Sequence, residues 1–163
     1  KKSLCVGGCC SLAVPHVRTL TRFAMAFHPP TSSLPDIVIS EQEENQLTAL
    51  ATAAMLNGRS EHVARILLAE MERAVLVPDA DVPGSVVRMN SRVRFELDGG
   101  APRVVVLVFP GEVNIVEGKI SVLTPVGAAL IGLSPGQAMR VSGLDGRSQA
   151  LNVIEVLPPR PQA

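Results

Sequence analysis

The sequence predicts an α+β protein: a short N-terminal antiparallel helical hairpin, then a compact, mostly antiparallel β domain carrying one small helix. Three observations predict it. Two segments with apolar residues at helical spacing flank Asn57-Gly58. From Val86 onward the apolar period changes to two. Between Glu117 and Gly136 the chain reads as a strand, a capped turn of helix and a tight turn. Hydrophobic residues make up 47 % of the 163, enough for one ordinary domain or two small units with a core.

Residues 1–35 read as an irregular N-terminal extension. Lys1-Lys2 ahead of Ser3 to Cys10 has the outline of a short signal peptide, and Val6-Gly7-Gly8-Cys9 that of a lipoprotein cleavage site. The apolar stretch before that cysteine falls short of the roughly 7–15 residues a signal uses. Met25 opens a segment that flows into the folded body, so residues 1–24 are expected to be a non-native addition or a disordered appendage. Pro29-Pro30-Thr31-Ser32-Ser33 has the composition of a linker. Cys5, Cys9 and Cys10 are the three cysteines of the chain, so no disulfide staples the body, which accords with a cytoplasmic location.

The helical hairpin is placed at residues 36–82. Asp36-Ile37-Val38-Ile39 is a short apolar lead-in with strand character. Ser40 followed by Glu43 is a capping box, in which the serine hydroxyl and the glutamate each satisfy an N–H of the first turn. Leu47, Leu50, Ala51, Ala54 and Met55 form the first stripe, and Asn57-Gly58 stops the helix. Ser60 is expected to cap the second helix, whose stripe is Val63, Ile66, Leu67 and Met71. A short turn makes the two helices antiparallel neighbours, each of about 15 residues or roughly 22 Å. Pro78 and Pro83-Gly84 end the hairpin and mark a hinge.

The β domain is placed at residues 83–157. Val93, Phe95 and Leu97 alternate with Arg92, Arg94 and Glu96, and Asp98-Gly99-Gly100 turns the chain. Val104 to Phe109 is nearly continuous in apolar residues, which predicts a central strand. Ile120 and Val122 alternate with Lys119 and Ser121. Thr124 is a helix N-cap, Pro125 the first helical residue, and Gly132 the left-handed residue past the helix end. Gln137 to Ser142 and Gln149 to Leu157 form a hairpin about Asp145-Gly146. Residues 158–163 are expected to be a solvated, disordered tail.

Composition narrows the function. There are four Phe and no Trp or Tyr, so the stacking platforms of a single-strand binder are missing. From Met25 onward 11 basic residues face 15 acidic ones, the wrong balance for strong binding to free nucleic acid. No apolar run approaches the roughly 18 residues of a membrane span. His16, His28 and His62 are scattered and match no metal-site spacing, so no metal or cofactor is expected. Asp79 and Asp81 are read as solvated residues beside prolines rather than a metal pair. Arg88, Arg92, Arg94 and Arg103 are weighed as a basic strip, but Glu96 shares the face of Arg92 and Arg94, which favours a solvated sheet face. Fingerprints of hydrolases, kinases, P-loops and dinucleotide folds are lacking.

The run Gly118-Lys-Ile-Ser-Val-Leu-Thr-Pro-Val-Gly-Ala-Ala-Leu-Ile-Gly132 resembles the C-terminal domain of the GreA/GreB transcript-cleavage factors, whose pattern there is similar to Gly-x-Ile-Ser-Val-x-Ser-Pro-x-x-x-x-Leu-Ile-Gly. The short hairpin and the stretch Val87-Arg-Met-Asn-Ser-Arg-Val-Arg-Phe95, which looks like the opening strand of that domain, are closer to the regulators of nucleoside diphosphate kinase, or Rnk, a branch of the same relatives. Together with Asn152 to Val156 the likeness spans about residues 36–157.

The resemblance implies an FKBP-like β domain of the Gre C-terminal type that docks on RNA polymerase near its secondary channel, with the hairpin as a coiled coil pointing inward. It implies polymerase contact around Ser121, Val122, Thr124 and Pro125, and some effect on nucleoside diphosphate kinase, direct or indirect. Gre factors carry two acidic residues at the hairpin tip that help hold a second metal ion. Here Asn57, Gly58 and Arg59 occupy the tip, with Glu61 as its one carboxylate. Metal-assisted cleavage needs ligands within ångströms of the phosphate, so the expectation is a regulator without enzymatic activity. The alternatives are an interaction module for another protein and an FKBP-like peptidyl-prolyl isomerase. Such isomerase pockets are lined with aromatics, and Phe95 and Phe109 cannot build one alone.

Overall fold

In a computed structural model, residues 34–58, 60–142 and 146–157 are described, and they fall within one compact unit. The extension before residue 34, Arg59, residues 143–145 and the tail from 158 lie outside the described residues.

The predicted hairpin is made by α1 (Glu41–Leu56) and α2 (Glu61–Arg73). Ser40 caps α1, its Oγ accepting the Glu43 N–H at 3.2 Å. Leu47, Ala51 and Ala54 of α1 and Val63, Leu67 and Met71 of α2 are buried, with Leu50, Met55 and Ile66 partly buried against them. A fully buried leucine such as Leu47 or Leu67 contributes about 2 kcal/mol relative to exposure. Ser60 differs from expectation. Its backbone is left-handed (φ 53°, ψ 33°) and its side chain makes no cap bond. A cap residue needs extended backbone to aim its oxygen at the first-turn N–H groups.

The apolar lead-in forms β1 (Val38–Ser40), which pairs in parallel with β2 (Val75–Val77), Val38 opposite Val75. The sequence reading did not assign β2, because three residues are too few to display a period. The helical hairpin is thus the crossover between two short parallel strands.

The main sheet contains β3 (Arg92–Leu97), β4 (Arg103–Val108), β5 (Lys119–Ser121), β6 (Ala138–Ser142) and β7 (Ser148–Leu157), in the order β5-β4-β3-β7-β6. Its pairings are antiparallel except β4 with β5. The predicted hairpin is β6–β7. The alternation in β3 holds: Val93 and Phe95 are buried, while Arg94 pairs with Glu155 at 3.0 Å and Glu96 accepts from Asn152 at 3.1 Å.

Two expectations are corrected. The central strand is β3, not the apolar β4. Val104 is 42 % exposed, because its register partner is Arg94, on the solvated face of the sheet with Glu155. The opening strand starts at Arg92 rather than Val87. Asn90 is left-handed (φ 64°) and Ser91 Oγ accepts the Arg88 N–H at 3.0 Å, so this stretch is a turn.

The expected hinge is crossed by contacts. The short helix α3 (Pro125–Leu130) touches α2, β6 and β7. One cluster of buried side chains runs from Ile37 through the helices to Val153. Gly132 is the meeting point: its N–H bonds Val87 O at 2.8 Å and its carbonyl accepts from Val38 N at 3.0 Å. It takes the predicted left-handed conformation (φ 74°), and a Cβ there would stand 2.9 Å from Ile37 Cβ. Only glycine lets β1 approach this closely.

Candidate functional site

The segment from Ser121 to Val126 links β5 to α3, and its shape follows from two hydroxyls. Ser121 Oγ accepts the Leu123 N–H at 3.0 Å. Thr124 Oγ1 donates to Ser121 O at 2.7 Å and accepts the Gly127 N–H at 3.1 Å, as the predicted N-cap. The Val122 N–H is held by Val108 O at 3.0 Å. Extended backbone at Thr124 (φ −107°, ψ 154°) lets its oxygen reach the helix start, and Pro125 follows as first helical residue. Gly127 completes the design: a Cβ there would lie 2.2 Å from Ser121 O. The helix therefore rests directly on the backbone of the loop.

This geometry divides the sequence-predicted residues. Val122 is fully buried and offers no side-chain surface, and Ser121 is 8 % exposed, with its hydroxyl turned to Leu123 N. Thr124 and Pro125 remain half-exposed; Leu123 and Val126 beside them are partly exposed while packing against the hydrophobic core. Leu123 and Val126 were missed from sequence. Strand alternation gives no signal for them, because β5 ends at Ser121 and both Ser121 and Val122 are buried. The loop can thus present a small aliphatic surface on a rigid frame.

The hairpin tip is different in kind. Asn57 spends its side chain on Ala53 O at 2.8 Å, and Gly58 is left-handed (φ 62°). Glu61 forms an i,i+4 ion pair with Arg65, their side chains 52 % and 66 % exposed; such a pair is worth only about 0.3–0.5 kcal/mol. Leu56 projects into solvent at 84 % exposure. Arg59 lies outside the described residues. Among the described residues no group of three or more His, Cys, Asp or Glu is placed to hold a metal ion, and no helix is long and apolar enough to cross a membrane.

A third cluster was not foreseen. Glu43 keeps its pairing with Ser40, whose Oγ donates to Glu43 Oε2 at 3.3 Å, and also reaches across the fold. Its Oε2 accepts Arg88 Nε at 2.9 Å and its Oε1 the Met89 N–H at 3.1 Å. Arg88 also pairs with Asp79, so Asp79 is not simply solvated and Arg88 belongs to no basic strip. Burial pulls the Arg88 guanidinium down, but hydrogen bonds to Glu43 and Asp79 and their charges outweigh it, leaving the group above its ordinary value. Beside this cluster a cavity of about 630 Å³ opens between Glu43, Arg88 and Leu157, and neither Phe95 nor Phe109 lines it.

Residues 82–158 match the sequence model of the family described as transcription elongation factor, GreA/GreB, C-terminal. Over 125 residues the chain is 35 % identical to the Escherichia coli K12 protein named regulator of nucleoside diphosphate kinase, covering 76 % of this chain and 90 % of that protein. The Shigella flexneri protein of that name matches to the same extent. Among solved structures, a prokaryotic transcription elongation factor GreA/GreB from Nitrosomonas europaea superposes with a TM-score of 0.58 at 33 % identity, covering 75 % of this chain and 98 % of that one.

Proposed function

This chain belongs to the family of regulators of nucleoside diphosphate kinase, relatives of the GreA/GreB elongation factors, and from that premise we propose that it binds RNA polymerase through its β domain and regulates elongation without cleaving the transcript. The observation that carries the reading is the loop between β5 and α3. It lies inside the matched span, its polar groups bond within the loop, and Thr124 and Pro125 stay half-exposed beside Leu123, which packs partly against the core. A preformed aliphatic surface on a fixed frame loses little entropy when a partner covers it.

The hairpin tip supports the second half of the reading. Its one carboxylate, Glu61, is tied to Arg65. The helices have 16 and 13 residues, about 24 and 20 Å at 1.5 Å per residue. That tip carries neither the acidic pair nor the reach that metal-assisted cleavage requires. The reading extends to an FKBP-type β domain, a coiled-coil hairpin set at the rim of the secondary channel, and a cytoplasmic location. The link to nucleoside diphosphate kinase carried in the relatives' name is extended to this chain on the same footing.

Capture of core polymerase tests the reading. Wild type is expected to be retained, and Leu123→Ala or Pro125→Asp to weaken retention with unchanged circular dichroism. Added to a backtracked complex, the protein should leave the transcript uncut and, in excess, slow cleavage driven by a Gre factor. Unchanged retention by both variants would move the contact elsewhere. A shortened transcript would end the non-enzymatic reading.

A further inference from the structure

We propose that the outer face of the main sheet around Arg92 is a docking site for a protein segment carrying a carboxylate between aliphatic side chains. The strand register sets Arg92 of β3 between Val106 of β4 and Leu157 of β7. Val93, the next residue along β3, is fully buried, so Arg92 and its two register partners stand on the face away from the core. Val106 and Leu157 are half-buried yet lie outside the core cluster, and Val104 beside them is exposed. Arg92 is itself half-buried in this aliphatic setting. Its Nε is closed off from solvent without a hydrogen-bond partner, and among the described residues no carboxylate pairs with it. Arginine is rarely withdrawn from water unless paired, because an uncompensated buried charge is unfavourable. The charges nearby are already matched: Arg94 with Glu155 at 3.0 Å and Lys119 with Glu117 at 2.7 Å.

These surroundings state the chemistry of the occupant. A guanidinium takes a carboxylate through parallel N–H···O bonds, stronger than bonds between neutral groups. Arginine among apolar contacts is the kind of residue that anchors a protein interface. A nucleic-acid strand brings a phosphate at every step and would meet Glu155 and Glu96 along the same face, where they hold Arg94 and Asn152. One carboxylate flanked by aliphatic side chains meets Arg92, Val106 and Leu157 without a like charge. The chain does not supply this carboxylate itself. Outside the described residues Asp145 is the one acidic side chain, and it precedes Ser148, the end of β7 opposite Leu157. The site shares no residue with the loop between β5 and α3, so failure of either leaves the other standing.

The test follows the Arg92 Nε–Hε signal of the full chain by nitrogen NMR, assigned by its loss in Arg92→Lys. The probes are a capped peptide with a glutamate between two valines, the same peptide with glutamine, and inorganic phosphate. The glutamate peptide should shift the Arg92 signal together with the backbone N–H signals of Val104, Val106 and Leu157. The glutamine peptide should bind about tenfold more weakly, since its amide forms no charge-assisted pair. Arg92→Gln should lose about tenfold for the glutamate peptide. Arg103→Gln removes the same charge at the exposed start of β4 and should bind within about twofold of wild type. The melting temperature of Arg92→Gln should not fall, because no pairing within the fold is lost. Equal binding of the two peptides, or equal losses in the two variants, would overturn the carboxylate contact. Shifts as large with phosphate at the same concentration would assign the face to free anions, and the proposal would fall. An Arg92 signal that moves on dilution without peptide would make a second copy the occupant, against the proposal. A drop of several degrees in Arg92→Gln would show that the guanidinium is satisfied within the fold, and the proposal would fall.

Discussion

At the loop between β5 and α3, Ser121 and Thr124 satisfy the N–H groups of Leu123 and Gly127 and bond to each other. At the turn between α1 and α2, Ser60 sits left-handed and its hydroxyl caps nothing. Both serve as connections into a helix, and both carry a residue type suited to capping. The difference lies in the backbone. An extended Thr124 aims its oxygen along the helix axis, whereas a left-handed Ser60 cannot. The loop therefore has a shape fixed from within. The tip has helix ends, one exposed ion pair and a solvated leucine. A surface that must fit a partner benefits from the first kind of construction.

The strongest way to break this comparison is to separate α3 from the loop. Gly127→Ala places a methyl group 2.2 Å from Ser121 O, against backbone that cannot move without releasing Val122 from Val108. The expected loss is about 3 kcal/mol, at the upper end of overpacking effects, measured by urea denaturation. A loss under about 1 kcal/mol would show that helix and loop yield easily, and the claim of a fixed frame would go with it.

A smaller loss is expected at the junction. Glu43→Ala removes the acceptor of both the Met89 N–H and Arg88 Nε, while Arg88 keeps Asp79. Leaving a part-buried N–H and half of an ion pair unsatisfied costs about 2 kcal/mol. The direction of the Arg88 shift adds a pH signature. A cation held above its ordinary value contributes stability that is complete below its unfolded pKa and is lost only as pH rises through the folded one. The difference between wild type and Glu43→Ala attributable to Arg88 should thus stay constant from neutral to mildly alkaline pH. A difference that vanished by pH 9 would point to some other group.

Much of this was legible in the chain. The helices follow from the spacing of Leu47, Ala51 and Ala54 and of Val63, Leu67 and Met71, and the sheet alternation from Val93 and Phe95. Thr124, Pro125 and Gly132 sit in the backbone roles their side chains suggest. What escaped depends on partners far away in sequence. Glu43 pairs with Ser40 as the sequence suggests, but its further bonds to Arg88 and Met89 come from 45 and 46 residues away. β2 is too short for periodicity, and Val104 is exposed because the register sets it opposite Arg94 on the solvated face. Gly127 reads as a weak helix residue, and its reason, contact with Ser121 O, is invisible without the fold. Leu123 was hidden by the motif around it, which drew attention to Ser121 and Val122, the two residues the structure withdraws from the surface.

The finest test compares the two expected caps directly. Thr124→Ala loses the bonds to Gly127 N and Ser121 O and should cost about 1 kcal/mol, the usual value of an N-cap. Ser60→Gly should act in the opposite direction. A non-glycine residue in the left-handed region carries roughly 1 kcal/mol of steric cost, and glycine relieves it while adding about 0.5 kcal/mol of unfolded-state freedom. The net expectation is a gain of about 0.5 kcal/mol, read as a small rise in the urea midpoint at constant slope. No side-chain hydrogen bond of Ser60 stands against this gain, since its hydroxyl makes no cap bond. A loss at Ser60→Gly comparable to that of Thr124→Ala would mean that the serine caps α2 in solution after all, and the contrast between the two turns would close.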